Sequence, residues 1–254
     1  MELLVLTALC VLVLSAIHLT APMMRFLEGT PRSIWLSIAG GVSVAYVFVH
    51  FLPELASGQK DIAAELRSVD FAERHVYLIA LAGLLTFYGL DRLAKADRSR
   101  HAGRPVSDGR GAKRRDAPPA SSGVFWIHMA SFGVYNAIIG YLLLHREKMT
   151  LGSLLFFAVA MALHFLVTDY GLNEDHKSLF RSLGRWILAG TLALGWLIGA
   201  LTEVGKPVIA ALTAFLGGGV VLNVLKEEVP SEQQSRFWAF AAGASAYSLL
   251  LLTL

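Results

Sequence analysis

The sequence predicts an all-α membrane protein with about eight transmembrane helices. Three observations predict it. The chain is 55% hydrophobic and only 16% charged, where a soluble domain carries roughly 25% charge. Its mean hydropathy is +0.57. Its apolar residues fall into runs of about 20, the length that crosses a hydrocarbon core of about 30 Å at about 1.5 Å per helical residue. Backbone polar groups find no water at that depth, so each run must close its hydrogen bonds internally as a helix.

Taken in order, the runs are 3–20, 34–54, 74–94, 123–144, 151–172, 184–202, 207–227 and 236–254. The first begins Met1-Glu2, with no Lys or Arg before it and no small-x-small cleavage pattern after it, so it is expected to stay as a span rather than leave as a signal peptide. Helices one to three occupy 1–94, helices four to eight occupy 123–254, and 95–122 connects them. The connection holds Arg98, Arg100, Arg104, Arg110, Lys113, Arg114 and Arg115, followed by a Pro-, Ala- and Ser-rich stretch. Nothing in it could form a core, so it is expected to be disordered and to anchor against anionic headgroups. Between spans two and three, Ile62, Leu66 and Val69 have near-helical spacing, which predicts a short interfacial helix. The single cysteine, Cys10, forms neither an internal disulfide nor a metal cluster.

Orientation follows from the basic residues. Sixteen of the 22 Lys and Arg lie in the loops after spans one, three, five and seven or at the span ends that border them. That side is expected to be cytoplasmic, leaving both termini outside a plasma (bacterial inner) membrane. The net charge of +3 is then a matter of topology. The partner it implies is the lipid bilayer, and nucleic acid is excluded. A homodimer is a candidate assembly.

Ionisable groups inside a span cost about 2.5–3.5 kcal/mol on insertion scales and tend to face partners or a wet path. Span two ends His50-Phe-Leu-Pro-Glu54. Four residues apart, His50 and Glu54 share a helix face and could ligate a transition metal together; an ion pair at the interface is the alternative. Span four holds His128, Ser131, Tyr135 and Asn136. His128 is near enough to the end to snorkel. Asn136 fits either a ligand role or a helix–helix hydrogen bond. In span five, His164 is deep enough to need a partner. Thr168 follows on the same face, and Asp169 is about 140° around the helix from His164. Asp91-Arg92 reads as a surface pair, and Glu227-Glu228 ends span seven.

Gly40-Gly41 precedes Pro53 in span two, and Gly217-Gly218 precedes Pro230 in span seven at the same spacing. Opposite directions for these two spans hint at an inverted repeat, which carriers build around a midplane site. The stretches Gly40-Gly41-Val-Ser-Val-Ala-Tyr-Val-Phe-Val-His50-Phe-Leu-Pro53-Glu54 and Phe215-Leu-Gly217-Gly218-Gly-Val-Val-Leu-Asn-Val-Leu-Lys-Glu227-Glu228-Val-Pro230 resemble the second and seventh spans of the ZIP family of divalent metal transporters. The resemblance implies a 3+2+3 inverted-repeat bundle and a divalent cation such as zinc as transported substrate, with no prosthetic group and no enzymatic activity. His164 would be the central ligand, with Asp169, Thr168 and Asn136 nearby. His50 and Glu54 would serve the outer mouth, and Glu227 the inner one. The family's span-four and span-five ligand motifs are degenerate here: Ser131, Phe132 and Tyr135 stand at the span-four ligand positions, and Phe165 and Thr168 replace acids after His164. Two alternatives therefore stand beside the carrier. One is a ZIP-like scaffold or sensor that does not transport. The other is an intramembrane metal-dependent hydrolase, for which no His-Glu-x-x-His spacing is found.

Overall fold

A computed structural model describes residues 2–24, 33–65, 75–102, 122–146, 150–224, 226 and 236–252. The described chain is 93% helical with no strand, as the backbone argument requires of an apolar chain in lipid. The helices are α1 (Glu2–Thr20), α2 (Ile34–Tyr46), α3 (Leu52–Glu65), α4 (His75–Ala102), α5 (Ser122–Leu142), α6 (Leu151–Leu179), α7 (Arg185–Leu201), α8 (Lys206–Asn223) and α9 (Phe237–Leu251). Six helical stretches are long and apolar enough to cross a membrane.

Among the described residues, two wide π-type turns each lie between two α-helices. The first, Val47–Phe51, joins α2 to α3 in one run. Pro53 explains it: a proline removes one backbone donor and its ring crowds the preceding turn, and a wider turn relieves both. His50 sits in this turn. The predicted interfacial helix is thus a continuation of span two as far as Glu65; Leu66 and Val69 lie outside the described residues. The second, Phe180–Gly184, lies between α6 and α7. One straight helix over the 51 residues Leu151–Leu201 would measure about 77 Å, more than twice the hydrocarbon thickness. The stretch breaks at Lys177, whose φ is 32°, and the side chain of Asn173 bridges the break by accepting from Arg181 Nε at 2.9 Å. At the other junction, α4 runs on to Ala102, eight residues beyond the predicted end of span three; residues 103–121 of the predicted disordered loop lie outside the described residues.

Three helix pairs form the tightest contacts, and reciprocal glycines make each of them. A Cβ on Gly140 of α5 would strike the Leu192 carbonyl of α7, and one on Gly195 of α7 would strike the Ala137 carbonyl of α5. Gly41 and Gly243 play the same roles between α2 and α9, as do Gly83 and Gly218 between α4 and α8. Lipid tails are as apolar as leucine, so helices in a bilayer associate through such close backbone approach rather than by burying oily surface. Gly133, Ala137 and Tyr141 face Thr191, Gly195 and Gly199 in rising order, so α5 and α7 run parallel.

The outer surface is apolar. Leu12, Val13, Leu81, Leu85, Leu155 and Leu194 are all about half exposed or more, an arrangement that fits lipid and not water. Trp35, Trp126, Trp186 and Trp238 are exposed near the first residues of α2, α5, α7 and α9, where amphipathic rings favour the headgroup level. The fold is that of an all-α membrane protein.

Candidate functional site

Buried polar groups gather at one level of the interior. Three helices, α1, α5 and α6, each contribute buried polar groups there. His18, near the end of α1, is 1% exposed, and Asp169 of α6 is fully buried. His18 Nδ1 lies 2.8 Å from Asp169 Oδ2, and its Nε2 lies 2.9 Å from Asn136 Oδ1. Asn136 Nδ2 donates to the Phe132 carbonyl at 2.8 Å, which assigns its oxygen to His18 and makes Nε2 of His18 a donor. One further proton lies between His18 and Asp169, either as an imidazolium–carboxylate pair or as a neutral pair. Both forms carry the same net charge, so the carboxyl is compensated at a depth where a bare one would cost several kcal/mol. The Phe165 ring packs on His18 at 4.3 Å between centroids. Asp169 Oδ1 is sealed from solvent and has no hydrogen-bond partner among the described residues.

His164 is equally buried, and its Nε2 lies 2.9 Å from the Tyr135 hydroxyl of α5. It is also within electrostatic range of Asp169. The predicted pair therefore divides: His164 addresses α5, and Asp169 addresses α1. Thr168, one residue before Asp169, lines a different space, a small cavity of about 50 Å³ between α4, α5, α6 and α8. Asp91, His128, Ser131, Asp175, Asn223 and Lys226 also line it. Two contacts flank this end. Lys226 Nζ is 2.6 Å from Asp91 Oδ1, and His128 Nδ1 is 2.8 Å from His176 Nε2. A nitrogen–nitrogen contact of that length needs one N–H donor and one lone pair, so the two imidazoles hold a single proton between them. His128 does not snorkel: it is 8% exposed, because His176 gives it a buried partner.

At the opposite end, a cavity of about 440 Å³ is lined by side chains from α2, α3, α5, α6, α8 and α9, with the π turn at its wall. His50 and Glu54 both line it. Their closest nitrogen–oxygen distance is 3.9 Å and both are about one quarter exposed, so they form a loose pair and not a hydrogen bond. Arg146 enters the same cavity from beyond the end of α5. Its Nη1 donates to Ser153 Oγ at 2.9 Å, and its guanidinium carbon lies 5.4 Å from the Phe157 ring centroid. Burial pushes the Arg146 pKa down, against the opposing pull of Tyr46 and Glu54.

Of the sequence-derived candidates, the structure brings Asn136 and Asp169 together on His18, puts His164 beside Tyr135, and places His50 with Glu54 in the large cavity. Glu227 lies outside the described residues. Among the described residues no three His, Cys, Asp or Glu side chains converge as a metal-holding group. Sequence reasoning passed over His18, His176 and Arg146. His18 carried a usable signal: it is an ionisable residue inside an apolar run, the same criterion that singled out His164. No family model matches this chain, and no curated protein matches it.

Proposed function

We propose that the chain is a ZIP-like membrane carrier of a divalent cation such as zinc, working by alternating access around the His18–Asp169–Asn136 cluster and the neighbouring Tyr135–His164 pair. The observation that carries the reading is the Asp169 carboxyl. Its Oδ1 is enclosed with no donor among the described residues, while two imidazoles and an amide oxygen stand close by. Nitrogen and oxygen groups of this kind replace the water shell of a divalent cation. His50 and Glu54 then serve the outer mouth, and Thr168, Asp91 and Asp175 the inner one.

Helix pairing also supports the reading. Counting α2 with α3 as one span, and α6 and α7 as two, gives eight spans. A 3+2+3 inverted repeat exchanges span two with seven and span three with eight. It therefore maps the α2–α9 contact onto the α8–α4 contact, and both are built on reciprocal glycines. The Trp residues at the starts of spans two, four, six and eight fall on one side of such a bundle, the side that the basic loops assign to the cytoplasm.

A second reading has its own observation. The central donors are engaged with one another, and no three metal-ligating side chains converge among the described residues; a ZIP-like protein that no longer transports would look like this. Uptake of zinc, manganese, iron(II) and cadmium ions by proteoliposomes, together with metal content after purification, separates the two. Saturable uptake and stoichiometric metal, both lost in His164→Ala and Asp169→Ala, are expected of the carrier. No metal and no uptake by the intact chain would reject it in favour of the scaffold.

A further inference from the structure

The Arg146 guanidinium is a feature of the large cavity that cation carriage does not use. A planar guanidinium binds best along the edge where Nε–H and one Nη2–H point the same way, the fork that matches two oxygens of a carboxylate or phosphate. In Arg146 these two nitrogens, and not Nη1, are enclosed without a hydrogen-bond partner among the described residues. Nη1 is held by Ser153 and the guanidinium carbon lies 5.4 Å from the Phe157 ring centroid, and these two contacts constrain the fork. Glu54 lines the same cavity and acts on Arg146 through its charge, yet it makes no hydrogen bond to Nε or Nη2. A buried charged donor left unmatched is costly, so a group that completes the fork is favoured.

The rest of the cavity defines what that group belongs to. Thr150, Ser153 and Thr213 line the same cavity as Arg146, and the remaining wall includes Phe157 and Leu216. Its volume of about 440 Å³ lies in the range that holds a small organic molecule. We infer that this cavity binds an amphiphilic oxyanion, a carboxylate or phosphate group on an apolar body, with the oxyanion on the Nε/Nη2 edge of Arg146 and the apolar part against Phe157 and Leu216. The oxyanion comes either from a free small molecule or from a lipid headgroup reaching in from the bilayer. The inference does not depend on cation transport, and its test uses none.

The test is titration calorimetry of the full chain in zwitterionic nanodiscs with benzoate, octanoate and inorganic phosphate, alongside native mass spectrometry from nanodiscs containing phosphatidylglycerol. Saturable binding of benzoate or octanoate identifies a free carboxylate, and binding of phosphate alone a free phosphate. Retained phosphatidylglycerol with flat titrations identifies a lipid headgroup. In each case Arg146→Lys, which keeps the charge and loses the fork, is expected to weaken binding about tenfold, and Ser153→Ala, which frees the guanidinium to turn, about threefold. If Arg146→Lys does not fold, Ser153→Ala and Thr213→Val decide. Absence of oxyanion binding in every arm, or binding unchanged in the variants that fold, overturns the inference.

Discussion

His18 and Asp169 stand 151 positions apart in sequence and 2.8 Å apart in space, and their contact ties the first long helix to the sixth at a fully buried level. Truncating one partner leaves the other without compensation in a medium that cannot solvate it. Asp169→Ala is therefore expected to lower stability by about 1–3 kcal/mol, whereas Asp169→Asn, neutral and able to hydrogen-bond His18, costs less. The double-mutant cycle with His18→Ala should show a coupling of about 0.5–3 kcal/mol. Denaturant unfolding in mixed micelles reads all four corners. Additive losses would mean that the two side chains do not meet.

Tyr135 and His164 provide a milder version of the same test. Tyr135→Phe removes only the hydroxyl and keeps the ring that packs edge-on against Phe87. A stability loss of about 0.5–1.5 kcal/mol is expected, with the helical circular dichroism unchanged. Any cation uptake should fall in the same variant, since His164 loses the group that orients it.

The glycine pairs make a contrast prediction. Gly195→Leu places side-chain atoms where the α5 backbone lies, and overpacking of a tight helix pair costs about 1–3 kcal/mol or more. Gly190 is on the same helix with nothing within 4 Å of its Cβ position, so Gly190→Leu should be tolerated. Size-exclusion profiles and thermal midpoints in detergent distinguish them. Equal behaviour of the two variants would contradict the α5–α7 packing.

Asp91 and Lys226 pair at the wall of the small cavity. Thr168→Cys in a Cys10→Ser background places a thiol in that cavity. Labelling by a charged methanethiosulfonate should be slow and should quicken about two- to fivefold when Lys226→Gln is added, the change in open population that follows from losing a partly exposed ion pair of about 0.5–1 kcal/mol. Unchanged labelling would show that this pair does not control access.

Composition and run length were enough to determine the class of the protein. Each apolar stretch must be a helix because lipid offers its backbone no other partner, and that holds without knowledge of any neighbour. The rule that a buried ionisable group needs a partner also picked out His164 and Asp169 in advance, and Asn136 was singled out as a polar group that fits a ligand role or a helix–helix hydrogen bond. Partner identity was beyond the sequence. The facing of His18 onto Asp169, of Tyr135 onto His164 and of His128 onto His176 depends on how α1, α5 and α6 rotate about their axes, and reciprocal glycines on neighbouring helices contribute to setting that rotation. A helix carries its own periodicity in its residues. Which of its faces meets another helix is a property of the pair, and only the assembled bundle decides it.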